Sequence, residues 1–384
     1  MLRNKHVYRK GVLNMNKRAP FRFDMVGSFL RPEYLKKARE DFKNGIITQE
    51  ELKKVEDKAI IDLVNKQKEV GLQVITDGEF RRATWHLDFM WGFNGVAHKE
   101  TEEGLPFHDE KAKIDDTYLT GKVSVDNHPF VEHYKFVKAL EDENTVAKQT
   151  IPAPAQFLEQ MIMPMNIETT KKYYDDVNDL INDIANGYKK VIRELYEVGC
   201  RNIQFDDCSW GGCVDPNALF FFGTDKEGLE KIKEQLLLVN NLAIEGKPDD
   251  LTITTHICRG NFHSTWACTG GYDDVAETLF ARENVDAYYL EFDDERSGGF
   301  EPLKAVSGDK KVVLGLITTK SAELEDKEVI KKRIEEATKY IPLDRLYLSP
   351  QCGFASCEIG NKLTEDEQWN KLKLVKEIAE EVWK

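Results

Sequence analysis

The apolar positions of this chain fall into two alternating rhythms. Short runs rich in β-branched and aromatic residues come first: "FRFDMVGS", "LQVITDGE", "VAKQTIPAP" and "NIQFDDCS", then "LTITTHICRG", "DAYYLEFDDE", "KVVLGLITTK" and "RLYLSPQCG". Between most of them the apolar residues recur about every 3.6 positions, most clearly over residues 48–70, 168–198, 225–244, 326–340 and 364–381. A short apolar run predicts a strand buried on both faces, and the longer period predicts a helix with one buried stripe. Strands and helices in alternation predict a parallel sheet. Eight such strands fit a closed (β/α)8 TIM barrel better than an open sheet. No Gly-x-Gly-x-x-Gly turn follows the first strand, which removes the usual dinucleotide signal.

One stretch departs from the minimal barrel unit. Residues 80–145, after the second predicted strand, contain "WHLDFMWGFNG", "LTGKVSVD" and "HPFVEHYKFVKAL". A connection this long has structure of its own or a function, so an insertion with a hairpin and a helix, partly covering the barrel mouth, is expected. No internal repeat or low-complexity linker is visible, and residues 21–384 read as one catalytic barrel domain. Residues 1–20 are basic and lack the apolar centre of a secretory signal. They read as a loose N-terminal arm, or as sequence upstream of a start at Met15.

Composition narrows the class of function. Hydrophobic residues make up 41% of the 384, enough for a substantial core. The formal charge of −14, from 68 acidic and 54 basic residues spread along the chain, argues against a nucleic-acid partner, which selects a basic face. No apolar run approaches the roughly 20 residues a membrane helix requires. The seven cysteines are an odd count in a long chain and do not resemble a secreted disulfide framework. A soluble, cytoplasmic protein acting on a small molecule is expected.

The ends of the predicted strands carry the chemistry: Ser28, Asp77, Glu79, Asp206, Asp207, His256, Cys258, Glu291, Lys320 and Cys352. In such barrels these ends form the active-site face. His256 and Cys258 are two residues apart and so point the same way along a strand. With Glu291 and Cys352 they offer nitrogen, sulfur and carboxylate donors in the number zinc prefers, and thiolates disfavour magnesium and calcium. Competing readings remain open. Cysteine packs well as a small hydrophobe, Glu291 is one of several acids in "EFDDERSGG", and Cys357 could replace Cys352. Cys200, Cys208, Cys213 and Cys268 read as structural. The aromatic "ATWHLDFMWGF" either packs as the root of the insertion or turns Trp85, His86 and Trp91 to the mouth.

"DMVGSFLRP", "TDGE", "IQFDD", "THICRGN", "YYLEFDDERSGGFEPL" and "LSPQCGF" together resemble the cobalamin-independent methionine synthase family. The resemblance runs in order over almost the whole chain, to the catalytic C-terminal half of the long enzymes and more closely to short single-barrel bacterial members. It implies zinc held by His256, Cys258, Glu291 and Cys352. It also implies homocysteine held by Val26, Gly27, Ser28, Glu79 and Asp206, and a methyl group passed to its thiol from a methylated folate, giving methionine. Two carboxylates suit an α-ammonium group, and backbone N–H groups suit an α-carboxylate.

The sequence departs from the long enzymes on the donor side. Gly212 stands near the place of their folate-contacting acid, "IPAPAQF" replaces their pterin-stacking tryptophan motif, and Lys320 stands at or near their catalytic histidine. Trp85, His86 or Asp88 is therefore expected at the mouth to rebuild the donor site. His86, Lys320 and Asp207 are the candidate proton donors, and Arg81 and Arg82 the candidate partners of a polyglutamate tail. Two alternatives stand beside this reading. One keeps the zinc chemistry with a methyl-corrinoid donor or another thiol acceptor. The other is a non-catalytic barrel that binds zinc or a thiol metabolite.

Overall fold

A computed structural model describes residues 18–101 and 104–384, so most of the expected N-terminal arm lies outside the described residues. Parallel strands occupy Val74–Ile75 (β1), Val146–Ala147 (β2), Gln149–Pro152 (β3), Asn202–Asp207 (β4), Thr252–Ile257 (β5), Ala287–Glu291 (β6), Lys311–Ile317 (β7) and Leu346–Pro350 (β8). β1 pairs with β2, and β3 to β8 form one six-stranded sheet in sequential order. Every residue of β4, β5, β6 and β8 is buried. The polar members of β4 and β5, among them Gln204, Asp206, Thr254 and His256, are therefore inside the protein as well. Helices follow most strands, which makes this an α/β fold.

The segment predicted as the first strand forms only a single bridge, Phe23 to Leu348. Its backbone still joins both neighbours. Leu348 N donates to Arg22 O at 3.0 Å, Asp24 N to Leu348 O at 2.9 Å, and Phe29 N to Gly78 O at 3.2 Å. Regular pairing is interrupted because the Asp24 carboxylate takes the N–H groups of Phe21 and Met25 for itself.

The helices start and stop where their end residues dictate. Thr48 and Glu51 form a capping box at the start of Gln49–Val70, which ends at Gly71 in the left-handed region. Thr364 and Glu367 do the same for Glu365–Val382. The helix predicted over 168–198 is split into Ile167–Thr170 and Val177–Glu197, because the Asp176 side chain caps a fresh start. Pro154–Ile162 is a helix that periodicity did not announce. Its polar stripe of Gln156, Glu159 and Gln160 is turned to an internal cavity rather than to solvent, so the helix is buried nearly all round.

Within residues 80–145, Asn94–Lys99 pairs antiparallel with Asp116–Ser124, and Leu105–Pro106 with Lys111–Ala112; Pro129–Lys138 is a helix. The inner hairpin reaches the loop after β5. His108 N donates to Trp266 O at 2.7 Å, and Glu110 meets His263 Nδ1 at 2.8 Å. Among the described residues, no helix is long and apolar enough to cross a membrane.

A small apolar cluster of Val26, Tyr289, Val313 and Tyr347 joins four of the parallel segments. Beside it, Lys148, the single residue between β2 and β3, is fully buried. Its Nζ donates to Met25 O at 2.6 Å and Gln204 Oε1 at 2.8 Å, and lies 3.3 Å from Asp24 Oδ1. Removing one partner of a buried ion pair leaves a naked charge. We expect Lys148→Met to cost about 3–5 kcal/mol in urea denaturation, and Asp24→Asn on that background to restore part of the loss. A Lys148→Met protein as stable as the parent would contradict this.

Candidate active site

The register of the sheet brings distant residues to one edge. Tyr289 lies opposite His256 and Leu290 opposite Ile257, Glu291 lies opposite Gly315, and Gly315 opposite Ser349. Cys258 follows β5 directly, and Cys352 follows β8 by two residues. Gly315 is required between them: a Cβ there would lie 2.6 Å from Gln351 Cα and 2.7 Å from Leu290 O. One donor atom from each of His256, Cys258, Glu291 and Cys352 falls within 4.8 Å of all the others, and all four residues are buried.

The donor set fits a soft divalent metal. Cys258 Sγ and Cys352 Sγ are 3.7 Å apart, against about 3.8 Å for two sulfurs on a tetrahedral ion with Zn–S bonds of about 2.3 Å. His256 Nδ1 faces Tyr289 O at 3.2 Å, while its Nε2 is buried without a partner. A ring that donates through Nδ1 keeps a lone pair on Nε2, as metal-ligating histidines do. Glu291 Oε1 accepts from Arg259 N at 3.1 Å. The Tyr272 hydroxyl accepts from Glu291 N at 3.0 Å and from Arg259 Nη1 at 2.7 Å, bracing the carboxylate from behind.

A cavity of about 1070 Å³ opens beside this cluster, lined by His256, Cys258 and Cys352 together with Ser28, Glu79 and Asp206. Glu79 holds a left-handed φ of 65°, unusual for a side chain of this size. Its N–H donates to Asp77 Oδ1 at 2.8 Å and its carbonyl accepts from Arg31 Nη2 at 2.8 Å, which fixes the turn. Glu79 Oε1 accepts from Thr150 Oγ1 at 2.9 Å and lies 3.2 Å from Arg82 Nη1, but Oε2 is buried without a partner. Asp206 Oδ1 accepts from Gln204 Nε2 at 2.7 Å. Burial pushes both carboxyls above the usual range, and for Asp206 the charge of Glu79 adds to it. A cation placed between them would relieve this. Val26 lines the cavity with Ser28, whereas Gly27 turns its carbonyl to Thr76 Oγ1 at 2.7 Å.

Trp85 and His86 line the same cavity, with ring centroids 4.4 Å apart. His86 is buried and its Nδ1 has no partner. Burial pulls its pKa down to about 3, so the ring is neutral near pH 7 and not the cationic proton donor expected of it. The other two expected donors do not line the cavity. Asp207 alternates with Asp206 along β4 and turns to Ser209 and Asn240. Lys320 Nζ is held by the buried Asp293 at 2.6 Å. Asp88 takes the N–H groups of Ala83 and Thr84, and Trp91 bonds Thr117. Arg81 pairs with Glu56 and Asp57, and Arg82 with Glu79. No lysine or arginine is among the described residues that line the cavity.

Several lining residues were not singled out in the sequence. Cys208 and Cys268, read as structural, face the cavity, as do Gln156 and Glu159 of the unannounced helix; Cys357 lines it as well but stands outside the donor group. The available signal for Glu159 was its place in the polar spacing of Gln156, Glu159 and Gln160, one face of a short helix at the end of a strand.

The buried setting of His86 has a direct readout. In a ¹⁵N-histidine-labelled sample, its ring signals should not titrate between pH 5 and pH 8, since burial holds the pKa near 3. A midpoint near the ordinary value of about 6.5 would mean that the ring is open to water.

Residues 22–381 match the protein family described as "Cobalamin-independent synthase, Catalytic domain". The chain is 46% identical over 372 residues to the uncharacterized protein YxjG of Bacillus subtilis (strain 168), with 96% of each chain covered. It is 22% identical over 335 residues to a methionine synthase of Sulfolobus acidocaldarius, covering 86% of this chain and 84% of that one. Its fold matches, with a TM-score of 0.75, the crystal structure of a Listeria monocytogenes protein provisionally assigned as a vitamin-B12 independent methionine synthase. That protein is 41% identical, and the match covers 95% of this chain and 99% of the other. The chain therefore belongs to the cobalamin-independent methionine synthases, a family of methyltransferases, and carries their catalytic domain.

Proposed function

We propose that this protein is a zinc-dependent methyltransferase that methylates the thiol of homocysteine to give methionine. Its frame is a closed (β/α)8 barrel over residues 21–384 with residues 80–145 inserted. Closure is supported by the hydrogen bonds that tie the segment after residue 21 to β8 on one side and to the Gly78 turn on the other. The observation that carries the functional reading is the buried group of two thiols, one imidazole and one carboxylate.

Bound there, zinc would keep the acceptor sulfur as a thiolate at neutral pH, where a free thiol with pKa about 8.5 is mostly protonated. The chain's own residues orient the acceptor. Glu79, with its unpartnered Oε2, and Asp206 receive the α-ammonium group, and the backbone of Val26 to Ser28 faces the α-carboxylate. Trp85 and the neutral His86 offer a flat stacked face to the methyl donor. Phe107, Met163 and Phe221 line the remaining wall and exclude water. Excluding water strengthens every charge interaction within the cavity.

A methylated folate is the donor the family suggests. One observation favours the second reading, a methyl-corrinoid donor: the described lining has no lysine or arginine to meet the carboxylates of a polyglutamate tail. Metal analysis combined with turnover of homocysteine against both donors separates the readings. One zinc per chain and methionine formation are expected; zinc and homocysteine binding without turnover would favour a non-catalytic role. Glu79→Gln should raise the KM for homocysteine by about 10- to 100-fold, the worth of one charge-assisted hydrogen bond, and leave zinc content unchanged. Loss of zinc in that variant would give Glu79 a different role.

A further inference from the structure

Methyl transfer from a tertiary amine leaves an electron pair on nitrogen, and such a leaving group needs a proton. None of the three donors expected from the sequence supplies one: His86 is neutral, and Lys320 and Asp207 do not line the cavity. Glu159 does line it. It sits on Pro154–Ile162, the helix that opens two residues after β3, and is buried.

The hydrogen bonds around Glu159 determine which oxygen is available. Cys208 N donates to Gln156 Oε1 at 2.9 Å, which fixes the orientation of that amide. Gln156 Nε2 therefore donates to Glu159 Oε2, at 2.6 Å. Oε2 is occupied as an acceptor, and Oε1 takes no hydrogen bond from the described residues. Oε1 lies beside Gly212: a Cβ on Gly212 would be 3.5 Å from it, and 3.1 Å from the Phe221 ring. The lack of a side chain at Gly212 leaves this oxygen open to the cavity, against an apolar wall.

Of the four carboxylates lining the cavity, Glu79 and Asp206 are grouped by Ser28, and Asp215 caps Asn217 N and Thr269 N. Glu159 remains. The titratable groups that face it are Asp207 at the end of β4, Cys208 and Cys213 after it, and Cys268 of the loop beyond β5. No cation is among them. Burial, with the charge of Asp207 second, pushes the Glu159 pKa up to about 8, so the group carries its proton at neutral pH.

We infer that Glu159 is the acid of the reaction, delivering the proton on Oε1 to the donor atom that loses the methyl group. This rests on the methyltransferase reading with an N-methylated donor. As the sulfur–carbon bond forms, the carbon–nitrogen bond breaks and its electron pair takes the Glu159 proton. The products are the thioether, a secondary amine and the Glu159 carboxylate. Solvent then reprotonates the carboxylate, balancing the proton the thiol lost on becoming a thiolate.

The test compares two methyl donors on zinc-loaded protein with homocysteine. Methylated folate needs a protonated leaving group; methyl iodide does not. Glu159→Gln should lower the rate with methylated folate by at least about 100-fold, with zinc content and the methyl iodide rate unchanged. The wild-type folate rate should fall as pH rises through about 8, the range in which Glu159 loses its proton, and the methyl iodide rate should lack that limb. A Glu159→Gln protein as fast as wild type with folate overturns the proposal alone. So does a wild-type folate rate that stays flat through that pH range, a measurement that needs no variant. Wild-type protein that uses methyl iodide but not folate removes the N-methylated donor, and the proposal with it.

Discussion

The arrangement depends on one electrostatic constraint. Two thiols, an imidazole with an unpartnered nitrogen and a carboxylate are packed within 4.8 Å inside the protein. Buried donors of this kind are costly without a cation to share. The sheet is built to hold them there: the in-register run from β5 to β8 sets the spacing, and Gly315 lets β7 pass close beneath Leu290 and Gln351. Arg259, itself buried and lying 4.1 Å over the Tyr272 ring, supplies fixed positive charge behind Glu291 without entering the cavity. The thiols therefore stay open on the cavity side.

The same separation of charge extends over the whole site. The cations nearby are consumed in the walls: Arg82 by Glu79 and Thr150, Lys148 by Asp24, Lys320 by Asp293. The carboxyls face inward, where burial raises Glu79, Asp206 and Glu159 above the usual carboxylate range. Such a lining would suit an ammonium group beside Glu79 and Asp206, and burial keeps the proton on Glu159 near neutral pH. The inserted hairpin closes over it through His108 on Trp266 and Glu110 between His263 and Lys362.

Strands buried on both faces were legible from their short stretches of β-branched and aromatic residues, and the metal-donor candidates because they lie at the ends of those stretches. What escaped the sequence had specific causes. Asp24 takes backbone N–H groups and so spoils the first strand's pairing. The helix carrying Glu159 is only 9 residues long, and its polar stripe of Gln156, Glu159 and Gln160 faces the cavity, so its period is too short to stand out. Asp206 and Asp207 look equivalent in "FDD", yet strand alternation sends one inward and the other to Asn240. Lys320, at or near the place of the family's catalytic histidine, was a candidate proton donor, but only the fold reveals that Asp293 already holds it. The neutrality of His86 is likewise a property of burial, which its neighbours in sequence do not encode.

The proposed chemistry rests on His256, Cys258, Glu291 and Cys352 acting as one metal centre. X-ray absorption at the zinc edge of the purified protein tests it most directly. One zinc per chain is expected, surrounded by two sulfurs at about 2.3 Å and by nitrogen and oxygen at about 2.0–2.2 Å. In Cys352→Ser protein one sulfur should disappear from that shell or the zinc should be lost. A protein that purifies without zinc and does not take it up, or a shell of oxygens and nitrogens alone, would contradict it.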